Sequence, residues 1–284
     1  MNRNGRLWRF YLAHERLLLG LTVVVLFLVA WEGLGRGWWA DGLTPLLGRS
    51  AEALRLKPIF VSSPSAVAKA AYRLYFVTGE IWPHLAASGL ELVAGLAAAI
   101  VVGIPLGLVA GRYRLLSAAL EPFMSAFNAT PQIAFLPLII LWIGAGFGAR
   151  VLIIYLLTVV PILINAHAAV RTVDRRLLQV AHSFGASEAR IFRSIILPSS
   201  VPFLLGGLRL AIGRGMIGII VGELYGQAIG VGLMINRAGA LFQTDKVFVG
   251  VLTIVAAGLA LTEVVRRIER RVELWRASGL EGGG

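Results

Sequence analysis

The chain contains no cysteine, and only 15% of its 284 residues carry a charge. Without cysteine there is no disulfide, no thiolate metal site and no Cys nucleophile. Lysine is nearly absent too. It occurs at Lys57, Lys69 and Lys246 and never follows a glycine, so no Walker A phosphate loop is present. The histidines, His14, His84, His167 and His182, form no i, i+4 metal-binding pair. No spacing joins a nucleophile to a base and an orienter. We therefore expect no enzyme activity, no cofactor and no metal. Acidic residues number 15 against 27 basic ones, for a net charge of +12. On a soluble chain such an excess would suggest nucleic acid. The scarcity of charge excludes that reading. A soluble globular chain is about 25% charged and roughly 45–50% apolar. Here 57% of residues are hydrophobic and the mean hydropathy is +0.79. Disordered chains are poor in apolar residues, so a polytopic membrane protein remains.

About 20 apolar residues are needed to cross a bilayer as a helix. Six runs are candidates: Leu17–Trp31, which continues through Glu32 to Leu34, Leu92–Ala110, Pro122–Ala149, Val151–Val170, Val201–Leu224 and Val247–Thr262. The third is long enough for a helix plus irregular backbone. The fifth carries Arg209, Arg214 and Glu223. The first has an Arg-rich front (Arg3, Arg6, Arg9, Arg16) but no small-residue cleavage site behind it, so it reads as a retained signal anchor. Six spans put both termini on one side. That side receives 16 basic residues in short clusters and the other side nine, six of them spread over residues 35–84. Basic clusters mark the cytoplasmic face, so both termini are expected there, and topology accounts for the +12.

Within residues 35–84, Ser62-Ser63-Pro64-Ser65 has the form of a helix start. Apolar residues follow at helical spacing, and Gly79 is a natural stop. An amphipathic helix at the outer interface is expected. Trp38, Trp39 and Trp82 suit an aromatic belt.

The loop after the fourth run is the most informative stretch. Asp174 can cap a first helix. Gly185 can end it in the left-handed conformation. Ser187 can cap a second helix, with Glu188 at its positive end. Pro198 marks where that helix meets the membrane. Ala181 and Gly185, four apart, leave room for a partner surface to approach the backbone.

This loop resembles the EAA motif of ABC-importer permeases: E-A-A, three residues, G, nine residues, I-x-L-P. The chain reads Gln179-Val180-Ala181, then Gly185 after three residues, then Ile195-Ile196-Leu197-Pro198 after nine. Gln179 and Val180 depart from the pattern. Gly103-Ile-Pro-Leu-Gly-Leu, Thr130-Pro-Gln-Ile-Ala-Phe-Leu-Pro-Leu and the run from Gly207 to Glu223 are similar to the nitrate/sulfonate/taurine branch. The resemblance implies an all-α type I importer permease with six spanning helices. It implies a second permease copy, cytoplasmic ATPase subunits and an external solute-binding protein, with no nucleic acid. It divides the chain into an anchor and external segment (1–84), a core transport domain (85–266) and a cytoplasmic tail (267–284). The coupling residues it implies are Gln179, Val180, Ala181, Phe184, Gly185, Ala186, Arg190, Ile195, Leu197 and Pro198. A membrane scaffold and a secondary transporter are the alternatives.

Candidates for the transport path come from polarity in apolar surroundings. Asn128, Thr130 and Gln132 surround Pro131 in the third run, and broken backbone in a membrane lines a cavity or is satisfied inside the protein. Arg214 and Glu223 are ionisable groups in the fifth run. Arg214 needs an anion, either a carboxylate such as Glu91 or Glu223, or a transported solute. Arg209 is expected to snorkel to the inner interface. Gly103, Gly107 and Gly111, and Gly218, Gly222 and Gly226, repeat every fourth residue and suit close helix packing. The first set is also a candidate dimer contact.

Overall fold

The computed structural model describes residues 4–38, 58–225 and 229–281. Among them the chain is helix and turn, with no strand. Trp39 and Gly226 lie outside the described residues. The chain divides into two units, residues 1–80 with 237–249, and residues 81–236 with 250–284.

In the first unit, α1 (Asn4–Arg36) is the first span and α2 (Pro64–Tyr72) is the expected amphipathic helix. The Ser63 side chain caps α2 by accepting from Ala66 N. The link is made by Glu32 of α1, whose carboxylate accepts from Ser65 N at 2.9 Å and Ser65 Oγ at 2.7 Å. Gly79 ends the following turn at φ +65°, as its position in the sequence suggests.

The second unit holds α3 (Ile81–Arg112), α4 (Arg114–Ala129), α5 (Leu136–Ile143), α6 (Phe147–Arg171), α7 (Arg175–Ser183) and α8 (Leu197–Leu224). Next come α9 (Val231–Ala240) and α10 (Thr244–Glu281), each of which crosses from one unit to the other. The α6 helix is the centre of the second unit, with α3 along one side and α8 along another. The glycines show why. A Cβ on Gly107 would lie 2.6 Å from Leu163 O, and one on Gly111 2.6 Å from His167 O. Side chains are excluded there because two helix backbones touch, the close approach that small residues permit. These glycines face α6 of the same chain, so that surface is occupied and is no free dimer contact. Gly218 and Gly222 meet Ile154, Leu157 and Ile153 on another side of α6.

The contacts also give the direction of each helix. Gly95, Gly103 and Gly107 meet Ile154, Ile162 and Ala166 in rising order, so α3 and α6 are parallel. Gly207, Gly215 and Gly218 meet Asn165, Thr158 and Ile154 in falling order, so α8 is antiparallel to both. Parallel α3 and α6 require the chain to return between them. The α4 helix and the segment from Gln132 to Ile143 make that return, bent by 87°. Among the described residues five helices are long and apolar enough to span, and this bent pair, taken as one span, makes a sixth. The third apolar run thus contains a break where irregular backbone was expected, at Thr130–Pro131.

The second loop helix runs on through Pro198. A π-helical turn, Phe192–Ile196, precedes α8, and Leu197 N donates to Phe192 O. The wider turn accommodates a residue with no N–H, so the helix passes through Pro198 into the bundle.

Candidate coupling loop and transport path

The loop between α6 and α8 has a cap at every helix end. Asp174 accepts from Arg176 N at 2.8 Å and starts α7. At the other end, Ala186 N donates to Ala181 O at 3.0 Å and Gly185 N to His182 O at 2.9 Å. These paired bonds form a Schellman motif, with Gly185 left-handed at φ +69°. Ser187 then caps a single turn, Glu188–Ile191, by accepting from Arg190 N. Glu188 pairs with Arg112 at 2.6 Å and fastens the turn to the end of α3. The geometry read from the sequence is present, with every expected cap in place.

The faces of α7 divide sharply. Leu178 and Ala181 pack, with Ala186, Phe192 and Ile195, on a cluster of Leu108, Ala166, Val170, Ile191 and Ile196. Ala181 therefore lies against the bundle, while Gly185 is open and an added Cβ would meet nothing within 4 Å. Leu177, Val180 and Phe184 remain exposed, Phe184 at 87%. Positions 177, 180 and 184 share one helix face, so an apolar stripe is left uncovered. Gln179 and Arg190 are exposed beside it, and Leu197 and Pro198 begin the span. Leu177 escaped the sequence reading, although its spacing to Val180 and Phe184 was a usable signal.

The candidates for the transport path separate. Thr130 Oγ1 donates to Ala126 O at 2.7 Å, and Gln132 Nε2 to Phe127 O at 2.8 Å. Both satisfy carbonyls at the broken end of α4. Asn128, by contrast, faces α8, where Arg214 Nη2 donates to its Oδ1 at 3.2 Å. Arg214 does not meet Glu91 or Glu223, the two carboxylates considered for it.

Those carboxylates serve the end of the bundle opposite the loop. Glu91 pairs with Arg150 at 2.6 Å, with 1% and 6% of the residues exposed. Arg150 also donates to Ala145 O, and Glu91 Oε2 is buried with no hydrogen-bond partner. By its place between the third and fourth apolar runs, Arg150 is one of the nine basic residues counted on the outer side. It lies in the first turn of α6, where parallel packing lays it against α3. Glu223 is also buried. It accepts from Ser88 Oγ and from Gly232 N, each at 2.5 Å. A carboxylate at the start of α9 satisfies a free N–H and favours the positive helix end. His84 Nδ1 completes this fastening at 2.8 Å from Gly230 O. Arg209 is also paired, with Glu269 of α10. No cluster of potential metal ligands occurs among the described residues.

Residues 103–274 match the family of binding-protein-dependent transport system inner membrane components. The chain belongs to that family. It is 30% identical to the taurine transport system permease protein TauC of Escherichia coli over 272 residues, covering 94% of this chain and 93% of that one. It is 32% identical to the riboflavin transport system permease protein RibX of Chloroflexus aurantiacus, covering 92% and 91%. A putative aliphatic sulfonates transport permease, SsuC of Bacillus subtilis, is 32% identical over 73% of this chain and 75% of its own. Among solved structures, an inward-facing MetNI methionine ABC transporter chain superposes with a TM-score of 0.54 at 19% identity, over 69% of this chain and 98% of that one. An amino acid ABC transporter chain also gives 0.54, at 17% identity, covering 72% and 97%. These likenesses show the type I importer permease fold. The permease is thus a multi-pass inner-membrane subunit of an ABC importer, of the nitrate/sulfonate/taurine branch, and membership implies ATPase and binding-protein partners.

Proposed function

We propose that this permease carries a small anion such as a sulfonate, taurine, nitrate or bicarbonate. In this reading two copies form the pathway by alternating access, and separate ATPase subunits drive it. The observation that carries the anion reading is the surroundings of Arg214. Arg150 and Arg209 each face a carboxylate. Among the described residues, the side-chain partner of Arg214 is the neutral amide of Asn128. Arg214 is half-buried on an apolar span; a guanidinium at membrane depth is costly without a counter-charge, and a passing anion supplies one. The names of the taurine and sulfonate relatives support this choice. Riboflavin, named for another relative, has no sulfonate or other anionic group and supplies the competing outcome.

Labelled taurine and labelled riboflavin are suitable probes, in cells producing the permease with its ATPase and binding protein. Arg214→Gln should lower taurine uptake about 10- to 100-fold, the weight of one hydrogen bond to a charged group. Membrane level and ATPase co-purification should stay normal, and Arg214→Lys should keep part of the activity. Unchanged uptake by Arg214→Gln, or transport of riboflavin with no taurine transport, would overturn the anion reading.

The loop is proposed to seat in the ATPase, with Leu177, Val180 and Phe184 as its contact and Gly185 as its hinge of fixed shape. Leu178 and Ala181 rest on the same cluster as Leu108 and Ala166, so movement of α7 passes directly to α3 and α6. The core transport domain is proposed as residues 85–266. Both termini are proposed to be cytoplasmic, from the basic clusters on their side. Reporter fusions at residues 180 and 60 should land on opposite faces of the membrane, and the same face for both would contradict this topology.

A further inference from the structure

Beside the loop lies a cavity of about 540 Å³ whose wall carries Arg112, Arg114, Arg171 and Arg175 against one carboxylate, Glu121. Two of these arginines are occupied. Arg112 pairs with Glu188 at 2.6 Å, and Arg171 with Glu121 at 2.5 Å. Arg114 and Arg175 have no carboxylate partner among the described residues. The cavity therefore presents two free guanidiniums and an uncompensated positive charge.

Its position narrows the occupant. Arg112-Tyr113-Arg114 is the tight link between α3 and α4, each part of a membrane crossing. Such a link sits at the level of the lipid headgroups, where arginine and tyrosine are favoured. Tyr113 is exposed, and Leu115, one residue past Arg114, is 88% exposed. A second cleft, about 370 Å³, shares the Arg112–Glu188 pair and is walled by Val109, Tyr113, Ala189 and Phe192, with Arg193 also lining it. A soluble anion would use the guanidiniums and leave these apolar walls wet. A molecule with an anionic head and an apolar body meets both.

We propose that this cavity binds the headgroup of an anionic phospholipid from the adjoining leaflet, with Arg114 and Arg175 on the phosphate. Basic pockets between helices at the membrane boundary recognise such headgroups. Arg175 is the first residue of α7, and Leu178, one turn on, also lines the cavity. A bound headgroup thus ties the loop helix to the α3–α4 link, so that lipid composition sets how firmly α7 is held. This inference requires the membrane fold alone and is independent of which solute is carried.

Native mass spectrometry of the purified permease tests it, with phosphatidylglycerol and phosphatidylcholine of matched chains as probes. The wild-type protein should retain phosphatidylglycerol over phosphatidylcholine by about tenfold or more, as two guanidiniums near a phosphate predict. Arg114→Gln with Arg175→Gln should abolish that preference, and the double lysine variant should keep most of it. Both side chains are exposed, so the thermal midpoint in detergent should be unchanged. If the double variant is poorly produced, Arg114→Gln alone should halve the preference or more. Equal retention by variant and wild type would overturn the proposal. So would displacement of all bound lipid by millimolar inorganic phosphate, which would make this a soluble-anion site. Loss of ATPase co-purification with lipid retention intact would also overturn it, because the arginines would then serve an acidic partner surface.

Discussion

Arg150→Leu should remove most of the protein from the membrane. Arg150 and Glu91 are both buried where α6 lies against α3, and among the described residues their 2.6 Å bond is the hydrogen bond that satisfies the Glu91 carboxylate, whose Oε2 has none. Deleting the guanidinium leaves the buried Glu91 carboxylate without its counter-charge. Removing one partner of a buried pair costs about 3–5 kcal/mol, a large fraction of the roughly 5–15 kcal/mol that holds a typical domain together. Replacing both partners by apolar residues of similar size is often neutral. Arg150→Leu with Glu91→Leu should therefore recover much of the wild-type level. Membrane abundance and the thermal midpoint in detergent measure both effects. A single variant as stable as wild type would show that the pair contributes little. A double variant no better than the single would show that Arg150 has another role.

Gly185→Val should abolish uptake while leaving the permease inserted at normal levels. At φ +69° an ordinary L-residue is strained by roughly 1–2 kcal/mol, and a β-branched one is a conformational outlier there. The strained turn would break the bonds from Ala186 to Ala181 and from Gly185 to His182 that fix the angle between the two loop helices. The bundle would not notice, because an added Cβ meets nothing within 4 Å. Gly185→Asn separates shape from size, since asparagine tolerates the left-handed region. It should retain most uptake and ATPase co-purification. Full transport by Gly185→Val would remove the loop from the coupling path, whereas equal loss in Val and Asn would place the requirement on a close partner surface instead.

The loop was legible because its information is local. Asp174, Gly185 and Ser187 act on backbone groups a few residues away, so spacing along the chain is spacing in the structure. The break at Thr130–Pro131 was legible for the same reason, as were the Ser63 cap and the turn at Gly79. The charged pairs were not. Glu91 and Arg150 are 59 residues apart in the chain, and Arg209 and Glu269 are 60 apart. Nothing in either local sequence names the partner. Arg150 looks like a loop charge until the parallel packing of α3 and α6 is known. Glu223 looks like a path residue until α9 folds back and offers it Gly232 N. The lipid-level cavity combines arginines from three segments, so it too was invisible in the linear chain.

Composition and periodicity by themselves determined a helical membrane protein with a capped loop after its fourth apolar run, and the resemblance of that loop to the EAA motif made it a permease. Long uncharged apolar runs suit helices, which satisfy their own backbone hydrogen bonds in lipid. Tertiary structure alone decided which polar groups hold the bundle together and which stay available. It placed carboxylates on Arg150 and Arg209 and left Arg214 with an amide. It turned Leu178 and Ala181 inward and Leu177, Val180 and Phe184 outward. Hydropathy is a property of each segment. The pairing of charges inside an apolar bundle depends on the direction and rotation of neighbouring helices, which are set only when glycine faces such as Gly107 and Gly111 bring them into contact.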